Sequence, residues 1–118
     1  MKTVVQQVEP FEIVPGYRAR IIHSQTMTLA YVDIEAGARL PEHSHVHEQV
    51  VNMLDGSFEL TVGGQKLSLL PGDVVVIPSN VPHSGAAITR SRILDVFHPI
   101  REDFLNRNVA YGPPGSDQ

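Results

Sequence analysis

Three of the six histidines in this 118-residue chain, His43, His45 and His47, lie within one short segment. Side chains at alternate positions of an extended chain point to the same side, so His43 and His45 can bind one ion together. Gln49 has the same parity and can contribute its amide oxygen. Because neutral imidazole is the commonest protein ligand for divalent transition metals, this spacing predicts a metal site.

A further ligand is expected from a distant segment. The β-branched run at 74–77 predicts a strand, and the prolines at 78 and 82 end it just before His83. Two distant segments that supply ligands to one ion imply a sheet that closes on itself. His47 shares the parity of His43 and His45, but four alternate residues cannot all reach one ion without a bulge. We therefore interpret His47 as a residue that either supports the metal ligands from behind or lines the pocket, where it would contact the substrate.

The composition predicts one compact domain. With 118 residues, of which 42% are hydrophobic, the chain can build one core but not a second one beside it. The formal net charge of -4 at pH 7 argues against nucleic-acid binding, because no basic stripe is available to neutralise phosphates. Cysteine is absent, so a metal must be held by imidazole, amide or carboxylate groups. Neither a membrane span nor a signal peptide is recognisable, and we expect a cytoplasmic protein.

The chain consists of short strand-like runs separated by turn residues, with no sustained helical period. The predicted strands are Tyr17–His23, Met27–Glu35, Gln49–Leu54, Ser57–Val62, Gln65–Leu70, Asp73–Ile77 and Arg92–Phe97. Asp55-Gly56 and Gly63-Gly64 are residue pairs typical of tight hairpins. We predict an all-β barrel over residues 1–105 that includes an N-terminal strand, followed by a tail over 106–118 that is flexible or strapped across a neighbouring subunit.

The strand predicted at 73–77 has apolar residues at both parities over Val74–Ile77. A strand of this kind is expected to be covered on both faces. One face should line the barrel, and the other should meet a partner sheet or subunit. We therefore expect a homodimer.

A second group of chemically capable residues lies near the end of the predicted barrel. Ile93, Asp95 and Phe97 share one face of a strand, and an acid between two apolar residues on a lining face either meets a partner or does chemistry. The candidate partners of this carboxylate are Arg20, Arg92 and Arg101. Arg101 follows a proline and can fold back over the barrel mouth as a clamp for a carboxylate. We expect Glu102 and Asp103 to be solvated.

The spacing of these residues resembles the two motifs of the cupins, a superfamily of small β-barrels. The first motif corresponds to Gly37, His43, His45, Gln49 and Gly56, and the second to Gly72, Pro78 and His83. The chain departs from the general pattern at Gln49, where the motif has glutamate, and at Asn80 and Ala87, where it has glycine and asparagine. The resemblance implies a single-domain cupin barrel, which is a double-stranded β-helix of the jelly-roll type.

From about residue 17 to residue 104 the chain is similar to the pectin-degradation cupins, which open the ring of 4,5-unsaturated uronates. The similarity lies in the segments 43–49, 78–83, 94–97 and 99–104. It implies metal ligands at His43, His45, Gln49 and His83, and a pocket that uses Asp95, Phe97 and Arg101. Two positions differ from the usual pattern of that family, Asn52 and His98, and they leave the identity of the substrate open.

Replacing the motif's glutamate by Gln49 has a chemical consequence. Three imidazoles and an amide are all neutral, so a bound cation keeps its full positive charge and favours an anionic substrate. We expect one divalent transition metal, which these ligands allow to be nickel, iron, manganese, cobalt or zinc. Asp95 and Arg101 are the candidate catalytic residues, and Arg20 is expected to help Arg101 hold the substrate carboxylate. The alternatives are a cupin dioxygenase, another metal-dependent enzyme of unknown substrate, and a non-catalytic protein that binds a small molecule.

Overall fold

The computed structural model of the chain describes residues 1–105 and confirms the all-β prediction. Apart from a 3-10 turn at Val5–Gln7 and a short helix α1 at Glu102–Leu105, the described elements are ten strands. They are β1 (Phe11–Val14), β2 (Tyr17–His23), β3 (Thr28–Ile34), β4 (Arg39–His43), β5 (Glu48–Asp55), β6 (Phe58–Val62), β7 (Gln65–Leu69), β8 (Val74–Ile77), β9 (His83–Ala87) and β10 (Ser91–His98). Over this range no helix has the length and apolar character that crossing a membrane requires. The predicted tail at 106–118 lies outside the described residues.

The strands form two antiparallel sheets that pack around one core. The larger sheet has the order β1-β2-β3-β10-β5-β8, and the smaller sheet has the order β4-β9-β6-β7. Residues from both sheets belong to a single buried cluster, with Ile34, Met53 and Ile77 at 2%, 2% and 0% exposure. Strand β6 has one buried face, because Phe58 and Leu60 are buried while their neighbours are more exposed. This two-layer jelly roll leaves its interior available for a site.

Three strands lie outside the seven ranges predicted from the sequence, β1, β4 and β9, and two of these, β4 and β9, carry little sequence signal. Strand β9 contains serine, glycine and alanines, which have low strand propensity. Gly85 is nevertheless required there, because a Cβ at this position would overlap the ring of Phe58. Strand β4 contains Pro41, which an edge strand tolerates because one side of it makes no ladder hydrogen bonds. Neither β4 nor β9 could be recognised from its residue types, because its position in the sheet tolerates residues that are uncommon in strands.

The expectation that β8 is covered on both faces is not met within one chain. Ile77 is fully buried, but Val74 and Val76 are 59% and 54% exposed. The reason is that β8 is the last strand of the larger sheet, and its outward face has nothing from residues 1–105 packed over it. Coverage of this face by a second subunit remains a prediction.

Candidate metal centre

The candidate metal-binding side chains come from both sheets at one end of the barrel. His43 ends β4 and His83 begins β9, and the two residues are direct partners across these antiparallel strands. His45 lies in the loop that follows β4, and Gln49 is the second residue of β5. From residue 42 to residue 49 the chain alternates between more exposed and less exposed positions. His43, His45 and Gln49 therefore point inward together, as the sequence predicted.

Each of the three histidines is held by a backbone carbonyl two residues away in sequence. The Nδ1–H groups donate from His43 to Pro41 O (2.7 Å), from His45 to His47 O (3.0 Å) and from His83 to Val81 O (2.9 Å). A carbonyl oxygen can only accept, so in each ring Nδ1 carries the proton. The nitrogen left as the potential metal ligand is Nε2 in every case. Such bonds to the outer nitrogen fix the tautomer and the orientation of metal-binding histidines.

The surroundings keep these imidazoles in the neutral form that binds metal. Burial lowers the pKa of His43 to about 3, with smaller contributions from the neighbouring His83, His45 and Arg101. Burial also lowers the pKa of His45 to about 4, assisted by Arg101 and His83. The pKa of His83 is lowered for the same main reason. A neutral imidazole has a lone pair to offer, so the rings need not release a proton before they bind a cation.

The three rings converge on one point. One potential ligand atom from each of His43, His45 and His83 lies within 4.8 Å of the other two. The ring centroids of His43 and His83 are 4.2 Å apart, and those of His45 and His83 are 5.0 Å apart. His83 Nε2 is buried and has no hydrogen-bond partner among residues 1–105. A buried lone pair without a donor, facing two further imidazoles, fits a divalent cation.

The amide of Gln49 completes this group and connects it to Asp95. Its Oε1 atom lies 3.1 Å from His45 Nε2. The Gln49 side chain also forms a hydrogen bond to the Asp95 carboxylate. Since a carboxylate only accepts, the amide NH2 group must point to Asp95 and the amide oxygen to the histidines. This is the orientation that Gln49 needs as a fourth, neutral metal ligand.

Asp95 lies on β10 beside this group and is kept away from bulk water. Burial raises the pKa of Asp95 to about 6, although the Gln49 hydrogen bond and the charge of Arg101 act in the opposite direction. Its Oδ1 atom is buried and has no hydrogen-bond partner among the described residues. No ion pair with Arg20, Arg92 or Arg101 satisfies it within residues 1–105. The carboxyl group is thus available to a ligand.

A cavity of about 50 Å³ lies between the two sheets and joins these groups. Its wall includes His43, Gln49 and His83, and also Asp95 and Phe97. Most of the remaining lining is apolar. The structure therefore brings three of the four candidate metal ligands, the acid and the aromatic ring together around one space.

Arg101 is placed beside this cavity by packing and by a carboxylate. Its side chain is 3% exposed, and its guanidinium carbon lies 4.7 Å from the ring centre of Phe97 and 4.1 Å from that of Phe104. Nε and Nη2 donate to the two carboxylate oxygens of Asp103, at 2.9 and 2.7 Å. The backbone N–H of Arg101 donates to Thr28 Oγ1 at 2.9 Å. Glu102 is exposed, as expected, whereas the Asp103 side chain is only partly solvated, because its carboxylate holds Arg101.

Comparison with known proteins supports the family that the sequence motifs indicate. The model of the cupin domain family matches residues 30–97, which is more than half of the chain. The chain belongs to the cupin family. The pectin degradation protein KdgF of Dickeya dadantii (strain 3937) is 32% identical to this cupin over 97 residues, covering 80% of this chain and 88% of KdgF.

Two solved structures extend the comparison. The structure of KdgF from Halomonas sp. is 29% identical to this cupin and superposes with a TM-score of 0.81, covering 86% of this chain and 96% of that one. An RmlC-like cupin from Shewanella frigidimarina NCIMB 400 is 28% identical, with a TM-score of 0.82 and coverage of 86% and 93%. The fold and the family relationship are thereby shown.

The structure does not bring Arg20 to the cavity of this cupin. Ala19 is fully buried, so the next residue along β2 must point outward. Arg20 Nη1 lies 3.4 Å from Asp33 Oδ2 on the outer face of the sheet, where Arg92 Nε also bonds to Asp33 at 2.8 Å. The expected contact between Arg20 and a substrate carboxylate therefore has no geometric support.

His47 lies next to the metal-binding set but does not belong to it. Its ring centre is 5.4 Å from that of His45, and it lines an outer groove together with Ile100 and Asp103. It is absent from the three histidines that could share a metal. Burial, followed by the charge of Arg101, lowers its pKa. His47 flanks the mouth of the site and does not line the inner cavity.

Two residues of the site were missed by the sequence reasoning. Tyr17 lines the cavity from β2, and Asp103 orients Arg101 from α1. The inward parity of Tyr17 could be inferred from the alternation of β2, in which Ala19 also points inward. The role of Asp103 had no signal of this kind, because it depends on how the chain turns after Pro99.

Proposed function

We propose that this cupin is a metal-dependent enzyme of pectin degradation that opens the ring of 4,5-unsaturated uronates to give linear keto-uronates. The observation that carries the proposal is the position of Asp95. Its carboxyl group faces the same cavity as His43, His83 and Gln49 and lacks an ion-pair partner among the described residues. The relationship to KdgF, which is named for pectin degradation, supports this substrate class.

The reaction requires one proton to move within the substrate. The hydroxyl at C1 loses its proton, C1 becomes an aldehyde carbon, and the bond between C1 and the ring oxygen breaks. The electrons of that bond remain on the ring oxygen, which becomes an enolate conjugated to the C4–C5 double bond. Protonation at C4 then gives the ketone. Because the atoms balance without an oxidant, the reaction is an isomerisation that needs a base and an acid close to both carbons.

Asp95 can serve as both the base and the acid. A carboxyl group whose pKa is raised by burial to about 6 is ionised near neutral pH, yet it holds a proton well enough to return it to carbon. The Gln49 amide holds the carboxyl group in the cavity wall. A divalent cation held by the three histidines and Gln49 would supply positive charge that favours the developing enolate oxygen.

Arg101 and Phe97 are proposed to bind and orient the substrate. The Arg101 guanidinium is fixed by Asp103 and stacked on Phe97, and its charge acts on His43, His45 and Asp95. A cation in this position attracts the substrate carboxylate. Phe97 forms an apolar wall of the cavity against which a sugar ring can lie. The four candidate metal ligands are uncharged, which adds to the preference for an anion.

The proposal is tested by following the absorbance of the double bond in unsaturated galacturonate. We expect the metal-loaded protein to accelerate its loss well beyond the spontaneous rate, and chelation to remove the acceleration. Asp95→Asn should keep its metal and lose about 100-fold or more in kcat, the range for removal of a general acid–base group. Decay at the spontaneous rate by metal-loaded wild-type protein would contradict the proposal. Oxygen uptake with a candidate diol, measured in parallel, would indicate a dioxygenase instead.

A further inference from the structure

Two polar atoms inside the cavity have no partner among residues 1–105. They are the hydroxyl of Tyr17 and Oδ1 of Asp95, both of which are buried. Tyr17 is 4% exposed, and both side chains line the same cavity. Burial and then the negative charge of Asp95 raise the pKa of Tyr17, so the phenol stays protonated and acts as a hydrogen-bond donor. The two groups thus lie in the wall of one cavity, each without a protein partner among the described residues.

The strand register places these two groups deeper in the barrel than the metal-binding set. Phe97 is paired with Gln49, and Asp95 lies two residues further along β10. Tyr17 is paired with Ile34, whose partner on β10 is Ser91, at the opposite end of that strand. Along the strand direction, the backbone of Asp95 is therefore intermediate between that of Tyr17 and the candidate metal ligands.

An unpartnered pair of this kind is costly. A buried hydroxyl or carboxylate without a hydrogen bond destabilises the folded state, and native proteins rarely leave such groups unsatisfied. Phenylalanine would fill the same volume at Tyr17 without this cost. The hydroxyl is therefore expected to meet a ligand that enters the cavity.

The chemistry of the pair specifies that ligand. A phenol O–H donates and a carboxylate accepts, so together they suit a group that both accepts and donates, which is an alcohol hydroxyl or a water molecule. We propose that the Tyr17 hydroxyl and Asp95 Oδ1 form a subsite for the anomeric hydroxyl of the sugar, with Tyr17 donating to its oxygen and Asp95 accepting its proton.

This subsite rests on the proposed ring opening and makes it more specific. The anomeric hydroxyl is the one that must lose its proton, and its oxygen becomes the aldehyde oxygen. Tyr17 would remain hydrogen-bonded to that oxygen throughout, while Asp95 takes the proton. Tyr17 is thereby a specificity residue that selects sugars with a free anomeric hydroxyl.

The test compares two non-reacting ligands by calorimetry on metal-loaded protein. The ligands are galacturonate and its 1-deoxy analogue, in which hydrogen replaces the anomeric hydroxyl. We expect Tyr17→Phe to weaken galacturonate binding by about 3- to 10-fold, the worth of one neutral hydrogen bond, and to leave the analogue unaffected. Tyr31→Phe is the matched control, because Tyr31 lies on the same sheet with its side chain on the outer face. An equal loss for both ligands, no loss, or no binding of galacturonate to wild-type protein would overturn the subsite.

Two further observations separate this proposal from the proposed function. If Tyr17→Phe opens the unsaturated ring with unchanged KM and kcat, the function stands and the subsite falls. If the wild-type protein fails to open the ring but shows the selective loss of affinity, the subsite stands and the function falls. A crystal structure of the ligand-free protein decides the case if the variant does not fold: a water bonded to both Tyr17 Oη and Asp95 Oδ1 is expected, and its absence overturns the subsite.

Discussion

The candidate metal-binding side chains carry no charge, which distinguishes this site from one that contains the glutamate of the general cupin motif. His43, His45 and His83 are neutral because burial lowers their pKa values, and Gln49 is an amide. Gln49 also hydrogen bonds to Asp95 through its NH2 group. A carboxylate at this position could not donate to Asp95 and would repel it.

Gln49→Glu tests this argument. We expect the variant to retain one metal ion per chain, because carboxylates are good metal ligands. Its affinity for galacturonate should fall by about tenfold or more, since the added negative charge opposes an anionic ligand at close range. Metal analysis and calorimetry measure the two effects separately. Equal galacturonate affinity in Gln49→Glu and wild type would show that the neutrality of the site has no role in binding.

The histidines also predict how the metal-free protein responds to acid. Their pKa values in the folded state, about 3 for His43 and about 4 for His45, lie below the value near 6.5 of an unfolded chain. As pH falls below about 6.5, the unfolded state therefore binds protons that the folded state does not, and folding stability is lost. Asp95 has a raised pKa, so its protonation favours the folded state as pH falls. This single carboxyl group opposes three histidines, so the loss of stability is expected to dominate.

We therefore expect the free energy of unfolding of the metal-free protein to be lower at about pH 5 than at about pH 7. Urea titrations of chelator-treated protein at the two pH values measure it. Bound metal should protect the protein near neutral pH and be released on acidification, since protons compete for the same nitrogens. An unfolding free energy that is equal or larger near pH 5 would mean that these imidazoles are not held neutral.

At the scale of single residues, parity explains what the sequence could and could not predict. His43, His45 and Gln49 were found because alternation on an extended chain requires only local geometry. Arg20 was misplaced because its role was assigned from its charge, whereas the alternation of β2, with Ala19 buried, puts it on the outer face. Asp103 was missed because its contact with Arg101 depends on the path of the chain after β10, for which no local pattern exists.

At the scale of elements, the turn between β5 and β6 carries the chain from the larger sheet to the smaller sheet. Gly56 in this turn has a φ of 88°, and a Cβ there would overlap the carbonyl oxygen of Arg90 and lie 2.8 Å from Ser91 Cα. The obstacle is backbone, which cannot move aside as a flexible side chain can. This explains physically why a glycine ends the first cupin motif.

Gly56→Ala has a matched control in Gly64→Ala. Gly64 has a similar φ of 83°, but nothing lies within 4 Å of a Cβ at that position. We expect Gly64→Ala to cost about 1 kcal/mol, from backbone strain alone. Gly56→Ala should cost at least about 2 kcal/mol more, because overpacking adds to the strain. Urea unfolding measures both variants, and equal losses of stability would show that the close approach to Arg90 is unimportant.

The elements also show why the predicted strand set was incomplete. Strands β2, β3, β5, β6, β7, β8 and β10 carry β-branched or alternating residues and were found within a residue or so of their ends. Strand β9 has neither feature. Its Gly85 has no side chain, which leaves room for the Phe58 ring that packs against it. Strand propensity depends on the side chains of a segment, whereas β9 forms because β4 and β6 pair with its backbone.

At the scale of the whole molecule, the outer face of the larger sheet is the main unexplained surface. The register aligns one row of aliphatic side chains across five strands, from β2 to β8. The row consists of Ile22, Leu29, Val96, Val50 and Val76. An aliphatic row of this length favours contact with another apolar surface, and a second copy of the chain can present the same row. The homodimer expected from the sequence is consistent with this surface and remains a prediction.

Val76→Glu tests the dimer. The side chain is 54% exposed and ends the row, so a charge there should oppose association without disturbing the core. We expect wild-type protein to sediment as a dimer and the variant as a monomer. Ile88→Glu is the control, because Ile88 is 59% exposed but lies outside the larger sheet. A monomeric wild type, or a variant as dimeric as wild type, would show that this face is not the interface.

The central claim is that His43, His45, Gln49 and His83 hold one divalent cation inside the barrel. The ratio of metal to protein, measured by elemental analysis after metal loading and dialysis, tests it most directly. We predict one ion per chain in wild type and in the control His98→Ala, whose side chain is exposed, and almost none in His45→Ala and His83→Ala. A wild-type protein without metal, or His45→Ala and His83→Ala that both retain a full equivalent, would contradict the account.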